Sequence, residues 1–249
     1  MSGHSKWSTI KRKKGKEDEK RGKIFTKLIK EISVAAREGG GSLDGNPRLR
    51  TAVDAAKAAN MPNDNVDRAI KKGTGELEGV NYEEAVYEGY GPAGVAMYIE
   101  CLTDNKNRTV GEVRHGLTKH GGSMAEAGAV AWMFAAKGQL CIDAAQYDEE
   151  TVFMEASELG AEDVVTEGGS HVVTTAVEDL QKVREGLLEA GIEVLEAEMV
   201  RVPSNTIELN ENDAGKVLRL LDVLEDNEDV QRISCNFDIS DEVMAKLDQ

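Results

Sequence analysis

At residue 75 two properties of this chain change together, and the coincidence limits its fold more than any motif does. Before that point apolar residues recur at helical spacing, and Lys and Arg outnumber Asp and Glu by 18 to 9, a net of +9. Beyond it strand-like and helix-like runs alternate, and the balance is 12 to 37, a net of −25. A basic helical head therefore precedes an acidic body that mixes sheet and helix. Charge scattered at random would not divide in this way, and a block of positive potential is what a polyanion meets first.

Within the head, Phe25, Leu28, Ile29, Ile32 and Ala36 share one arc of a helix from about Lys16 to Arg37, and Lys16, Lys20, Lys23, Lys27, Lys30 and Arg37 share the opposite arc. Gly39, Gly40 and Gly41 end that helix in a glycine-rich loop, and no pair of helices is expected to be joined by the short turn of a helix-turn-helix. Asn46 ahead of Pro47 is a cap followed by a first-turn proline, and the helix it opens stops near Asn60. Pro62 begins another, closing on Lys71, Lys72 and Gly73, where the helix dipole favours cations. A small bundle with basic outer faces is the expectation.

Past Gly75, strands are expected at Gly94–Thr103 and Ala129–Phe134 around a helix at Asn107–His120. A second such half has strands at Thr206–Leu209 and Val230–Phe237 around a helix at Asp213–Glu225. Between the halves, residues 137–201 read as strand, helix, strand, strand, helix, strand. The predicted fold class is α+β in three domains: an N-terminal helical bundle at 1–75, a split α+β domain at 76–136 plus 202–249, and an inserted α+β domain at 137–201. Both α+β domains are expected in ferredoxin-like element order.

Composition narrows function by exclusion. With 40% hydrophobic and 31% charged residues the chain can bury a core, while 4% aromatics exclude a wide base-stacking platform. Cys101, Cys141 and Cys235 lack CxxC spacing and sit in apolar stretches, as reduced buried thiols do. The apolar run Ala127–Ala136 falls far short of the ~18 residues that span a membrane. Glu17, Asp18 and Glu19 stand where a secretory signal would be apolar, so a cytoplasmic protein with no membrane partner is expected. Gly89-Tyr90-Gly91-Pro92-Ala93-Gly94 spells GxGxxG, but a strand follows it and Pro92 removes a backbone donor, which makes it a turn. His115 and His120 fall on different helix faces without partners at ligand spacing, and His4 and His171 are isolated. The carboxylates after residue 140 read as solvated surface. No enzymatic activity, metal, cofactor or small-molecule substrate is assigned.

Two constellations remain. The first is the head's run of Lys6, Lys11, Arg12, Lys13, Lys14 and Lys16, continued by the stripe Lys20, Lys23, Lys27 and Lys30. A solvated face would interleave acids with these bases at spacings of three and four, and a stripe of one sign stores repulsion that phosphates relieve. Trp7 beside Lys6 can stack on a base or anchor the terminus to the bundle. The second is Asp104-Asn105-Lys106-Asn107-Arg108-Thr109 with Arg114, His115 and Lys119. Its position, where a strand gives way to a helix, converges backbone donors with Arg108 and the Thr109 hydroxyl; Asn105 joins them, and Arg114, His115 and Lys119 lie on the outer arc. Capping by Asn107 or Thr109 is compatible with that reading.

Gly3-His4-Ser5-Lys6-Trp7, Gly22-Lys23-Ile24-Phe25-Thr26-Lys27, Asn46-Pro47-Arg48-Leu49-Arg50, Tyr87-Glu88-Gly89-Tyr90-Gly91-Pro92 and Asp104-Asn105-Lys106-Asn107-Arg108-Thr109 with Glu112-Val113-Arg114-His115 together resemble the YebC/PmpR family. The resemblance runs essentially end to end, with serine second where the family commonly has alanine. It implies a helical head and two α+β domains. It also implies a cytoplasmic, non-enzymatic protein described as a probable DNA-binding transcriptional regulator. Related members, one of them mitochondrial, resemble translation factors that act on the ribosome at proline-rich stretches. The expected partner is thus nucleic acid: DNA, or ribosomal RNA. A body of −25 beside a head of +9 would dock on a duplex by one end and be repelled elsewhere, which leans toward folded RNA.

Overall fold

The computed structural model describes residues 17–247, which form two compact units, one built from residues 17–133 and 203–247 and the other from residues 134–202. The first unit opens with three helices, α1 (Glu17–Gly39), α2 (Pro47–Ala58) and α3 (Asn63–Thr74). Of the arc anticipated from periodicity, Ile32 and Ala36 are buried and Phe25, Leu28 and Ile29 are half-buried against the same core, where Ile32, Ala35 and Ala36 of α1 join Leu49, Val53 and Ala56 of α2 and Val66 and Ala69 of α3. Asn46 caps α2 by accepting from the Leu49 amide at 3.0 Å and donates to the Ala35 and Gly40 carbonyls, so one side chain closes both helix ends. The Ser33 carbonyl of α1 would lie 2.3 Å from a Cβ on Gly73, which is why α3 can approach so closely.

One expectation for the head fails. Helices α2 and α3 are joined by only Ala59, Asn60, Met61 and Pro62, with Asn60 at φ +56° turning the chain. Met61 is buried against the bundle and shortens the connection from within.

The same unit continues with β1 (Glu83–Tyr90), β2 (Ala96–Thr103), α4 (Lys106–Lys119) and β3 (Ser123–Met124). Beyond the second unit it resumes with β8 (Ile207–Glu208), α7 (Glu211–Glu225), β9 (Val230–Cys235), β10 (Phe237–Asp238) and α8 (Asp241–Leu247). The sheet order is β3-β1-β2-β9, and β8 and β10 form a separate parallel pair. Helices α4 and α7 pack side by side, the Leu224 side chain filling the space above Gly116. Every residue of β2 except Glu100 is buried, so this central strand is covered on both faces. The GxGxxG segment is a turn at Pro92–Gly94 with Gly91 donating to Val95 at 2.8 Å, as read from the sequence.

The strand expected at Ala129–Phe134 does not form. Residues Ala131–Met133 make a 3-10 turn, and the next strand starts only at Phe134. The reason is β1, which sequence patterning did not announce: its Glu88 takes the amides of this segment away from any ladder.

The second unit contains β4 (Phe134–Asp143), α5 (Glu149–Leu159), β5 (Asp163–Glu167), β6 (Ser170–Thr175), α6 (Leu180–Glu189) and β7 (Glu196–Pro203), the last residue of which is counted with the first unit. Its sheet order is β5-β6-β4-β7, and Leu140, Ile142, Val152, Ala156, Val173, Val183 and Leu187 form its core. His171 is buried, with Nε2 2.8 Å from the Tyr147 carbonyl and Nδ1 2.8 Å from the Thr166 hydroxyl, a satisfied histidine of structural use. Among the described residues no helix is long and apolar enough to cross a membrane.

Candidate nucleic-acid interface

The lysine stripe of α1 does not face solvent as a whole. Lys23 pairs with Asp226, Lys27 donates to the Glu225 carbonyl at 2.7 Å, and Lys30 donates to the Glu228 carbonyl at 3.0 Å. These acceptors close the C-terminal end of α7, where unpaired carbonyls and the helix dipole attract cations. Lys30 is 5% exposed, its Nζ lies 2.6 Å from Asp229 Oδ1, and it also lies over the Tyr82 ring at 5.4 Å. The expectation that Lys23, Lys27 and Lys30 form a solvent-facing contact stripe is therefore corrected. They bind the head to the sheet domain that follows it.

Asp229 is the hub of that junction. It is 3% exposed, and its second oxygen lies 2.7 Å from Arg108 Nη2, 2.8 Å from the Thr109 hydroxyl and 3.1 Å from the Thr103 hydroxyl. Burial alone would raise its pKa, but Arg108, Lys30 and Thr109 outweigh it and hold the carboxyl at about 2. The second constellation is thus divided. Asn105 caps α4 by accepting from the Arg108 amide at 3.1 Å, and Thr109 is fully buried. Arg108 reaches both Asp229 and Asp104, which leaves its guanidinium half-exposed and paired. These facts correct the expectation that Asn105, Arg108 and Thr109 converge on an external anion: their convergence is on Asp229.

Arg114, His115 and Lys119 do lie exposed on the outer face of α4, where the apolar spacing of Val113 and Leu117 puts them. The α3 residues Arg68, Lys71 and Lys72 are exposed as well. Lys20 belongs to α1, whereas Lys6, Trp7, Lys11, Arg12, Lys13, Lys14 and Lys16 lie outside the described residues.

Beside α4, the loop from Gly121 to Met133 is held by a carboxylate. Glu88 is 6% exposed, and it accepts from the amides of Gly128 and Val130 at 2.6 Å and Ala131 at 2.8 Å. Burial raises its pKa and these amides lower it further, so it stays below the ordinary glutamate range. A depressed folded-state pKa means that this stabilisation is complete above the ordinary glutamate value and disappears as pH falls through the lowered one. Glu88→Gln puts an NH₂ group against donors, and hydrogen exchange at Gly128, Val130 and Ala131 should speed up by roughly tenfold or more, for about 1–3 kcal/mol lost. Unchanged protection of those amides would deny Glu88 this role.

Asp229 and Glu88 escaped sequence reasoning for one reason. Their partners are set by the fold: Asp229 meets Arg108 across 121 positions and Lys30 across 199.

Comparison with known proteins places the chain among close relatives. The family model described as the TACO1/YebC protein N-terminal domain matches residues 5–76, and that of the TACO1/YebC second and third domain matches residues 82–237. A probable transcriptional regulatory protein of Persephonella marina is 55% identical over 99% of this chain and 100% of its own. Probable transcriptional regulatory protein GSU1074 of Geobacter sulfurreducens is 58% identical, again over 99% and 100%. The crystal structure of a conserved hypothetical protein, Aq1575 of Aquifex aeolicus, superposes with a TM-score of 0.86 at 47% identity, covering 92% of this chain and 95% of that one.

Proposed function

The chain belongs to the TACO1/YebC family, and from that premise we propose that it is a non-enzymatic, cytoplasmic regulator of gene expression that works by binding nucleic acid. The observation that carries this reading is where the exposed basic residues of α4 and the basic run of the sequence lie. Arg114, His115 and Lys119 line the exposed face of α4, and residues 1–16 hold six Lys and Arg with no acid. In a chain of −16, such a separation suits a phosphate backbone. The names carried by the relatives favour DNA as the ligand.

A second reading, ribosomal RNA bound in a translation factor, is favoured by the acid distribution. The short connection between α2 and α3 invites comparison with a helix-turn-helix, yet the exposed first turns of α3 carry Asp64 and Asp67. A recognition helix presents that end to base edges, and carboxylates there repel phosphates. With 37 acids after residue 75, an extended duplex meets repulsion beyond its first contact, whereas folded RNA offers concave surfaces to a basic end.

One experiment separates the two. A DNA regulator should select a duplex from a random pool, bind it at ~10⁻⁸ M or tighter, and prefer it by roughly 10³-fold over competitor. A ribosomal factor should sediment with ribosomal particles and crosslink to their RNA at physiological salt, while its duplex binding collapses over the same salt range. Failure to obtain either a selected duplex or ribosomal RNA crosslinks would sink the nucleic-acid reading altogether.

A further inference from the structure

Trp132 is 74% exposed, in a chain with two tryptophans and few aromatics. An indole of that size left in water is the informative kind of exception to apolar burial. It is also held still. Its neighbours Val130 and Ala131 donate their amides to the buried Glu88 carboxylate, and the Ala125 amide donates to the Glu88 carbonyl at 2.8 Å. Gly122 sits against the Tyr90 carbonyl so closely that a Cβ would lie 2.5 Å from it. The indole N–H itself donates to the Ala129 carbonyl at 3.0 Å.

That last bond decides what the ring can recognise. Tryptophans that anchor protein interfaces commonly use the N–H as a polar handle, and here the handle is satisfied within the loop. The flat faces of the ring are what remain to offer. From Gly121 to Met133 the loop carries Glu126 as its single formal charge, whereas α4, which feeds into it, exposes Arg114, His115 and Lys119. A strand of nucleic acid supplies both complements: phosphates for the cations and unstacked bases for the ring.

We infer that Trp132 is a preorganised stacking platform for one unpaired nucleobase, on the loop that follows α4, whose outer face supplies phosphate contacts. This rests on the nucleic-acid reading and sharpens it: the ligand is single-stranded at this point. Glu88 is a positioning residue, fixing the ring before the base arrives, so little freedom is lost on binding.

The test uses the full chain with Trp7→Phe, which leaves Trp132 as the sole indole. Its emission in the free protein should be that of solvated indole, and a blue-shifted spectrum would overturn the inference at once. Titration with a short single-stranded RNA labelled for anisotropy should quench Trp132 in step with binding, and the DNA strand of the same sequence should do likewise. A fully paired duplex should bind without quenching.

In the natural background, Trp132→Ala should weaken single-strand binding by roughly ten- to a hundredfold, with Trp132→Phe retaining most of the affinity. Because the ring is neutral, the slope of affinity against salt should not change. Anisotropy showing full binding while Trp132 emission stays constant would remove the stacking role and leave the nucleic-acid reading intact. No anisotropy change with any strand would remove both. A protein ligand that quenches Trp132 where oligonucleotides do not would assign the ring to protein recognition instead.

Discussion

Replacing Asp229 with Ala should lower folding stability by about 3–5 kcal/mol, because it leaves the Lys30 ammonium buried without its counter-ion. Lys30 would keep the Glu228 and Leu102 carbonyls at 3.0 and 3.4 Å, but it is 5% exposed and has no route to water without undocking the head. Arg108 should suffer less, since it is half-exposed and still pairs with Asp104. Lys30→Met should be the milder single change, because Asp229 retains Arg108, Thr103 and Thr109. The double variant Lys30→Met with Asp229→Leu should recover much of the loss, as apolar replacements of buried ion pairs commonly do. Denaturant unfolding of the four proteins closes the cycle, and a coupling below about 0.5 kcal/mol would show that the pair does not act as a unit.

The same hub gives the protein an acid limit. A carboxyl held at about 2, against an ordinary aspartate value of 3.8, contributes on the order of 2 kcal/mol above that ordinary value. The contribution disappears as pH falls toward 2. Asp229→Asn should therefore flatten the acid side of the stability profile as well as lower its plateau.

What the sequence disclosed was whatever local chemistry determines. The α+β class, the Asn46 cap and the strand-helix order of residues 137–201 all follow from periodicity and turn residues acting over a few positions. Strand β1 stayed hidden because its sequence Glu-Glu-Ala-Val-Tyr-Glu-Gly-Tyr looks like surface, and its buried Glu88 is accounted for only by amides 40 to 43 positions away. The lysine stripe misled for the same reason in reverse. A row of one-sign charge on a helix is read as solvated until its acceptors are known, and those of Lys23, Lys27 and Lys30 lie about 200 residues on. The Asn105 to Thr109 segment shows both limits at once: a cap was expected at Asn107 or Thr109 and is supplied by Asn105, and the convergence on Asp229 was not legible.

That division of the basic residues predicts two opposite outcomes from similar-looking variants. Neutralising Lys11, Arg12, Lys13, Lys14 and Lys16 together removes five cations of the N-terminal run. If each meets a phosphate, duplex binding loses about 0.9 in salt slope per contact. Over a fourfold rise in salt the natural protein should then lose roughly 10²–10³-fold more affinity than the variant, with unfolding unchanged. Arg114→Glu with Lys119→Glu should subtract roughly two further contacts on the same scale. Neutralising Lys23, Lys27 and Lys30 should do the reverse, since their charge is already matched inside the molecule: stability falls and the salt slope stays. Measuring slope and stability on all three sets is decisive, because a stripe that touches phosphate must move the slope when it is removed. A slope that drops with the Lys23, Lys27 and Lys30 set, in protein still folded, would mean that the head undocks to bind and that the buried pair with Asp229 is a latch.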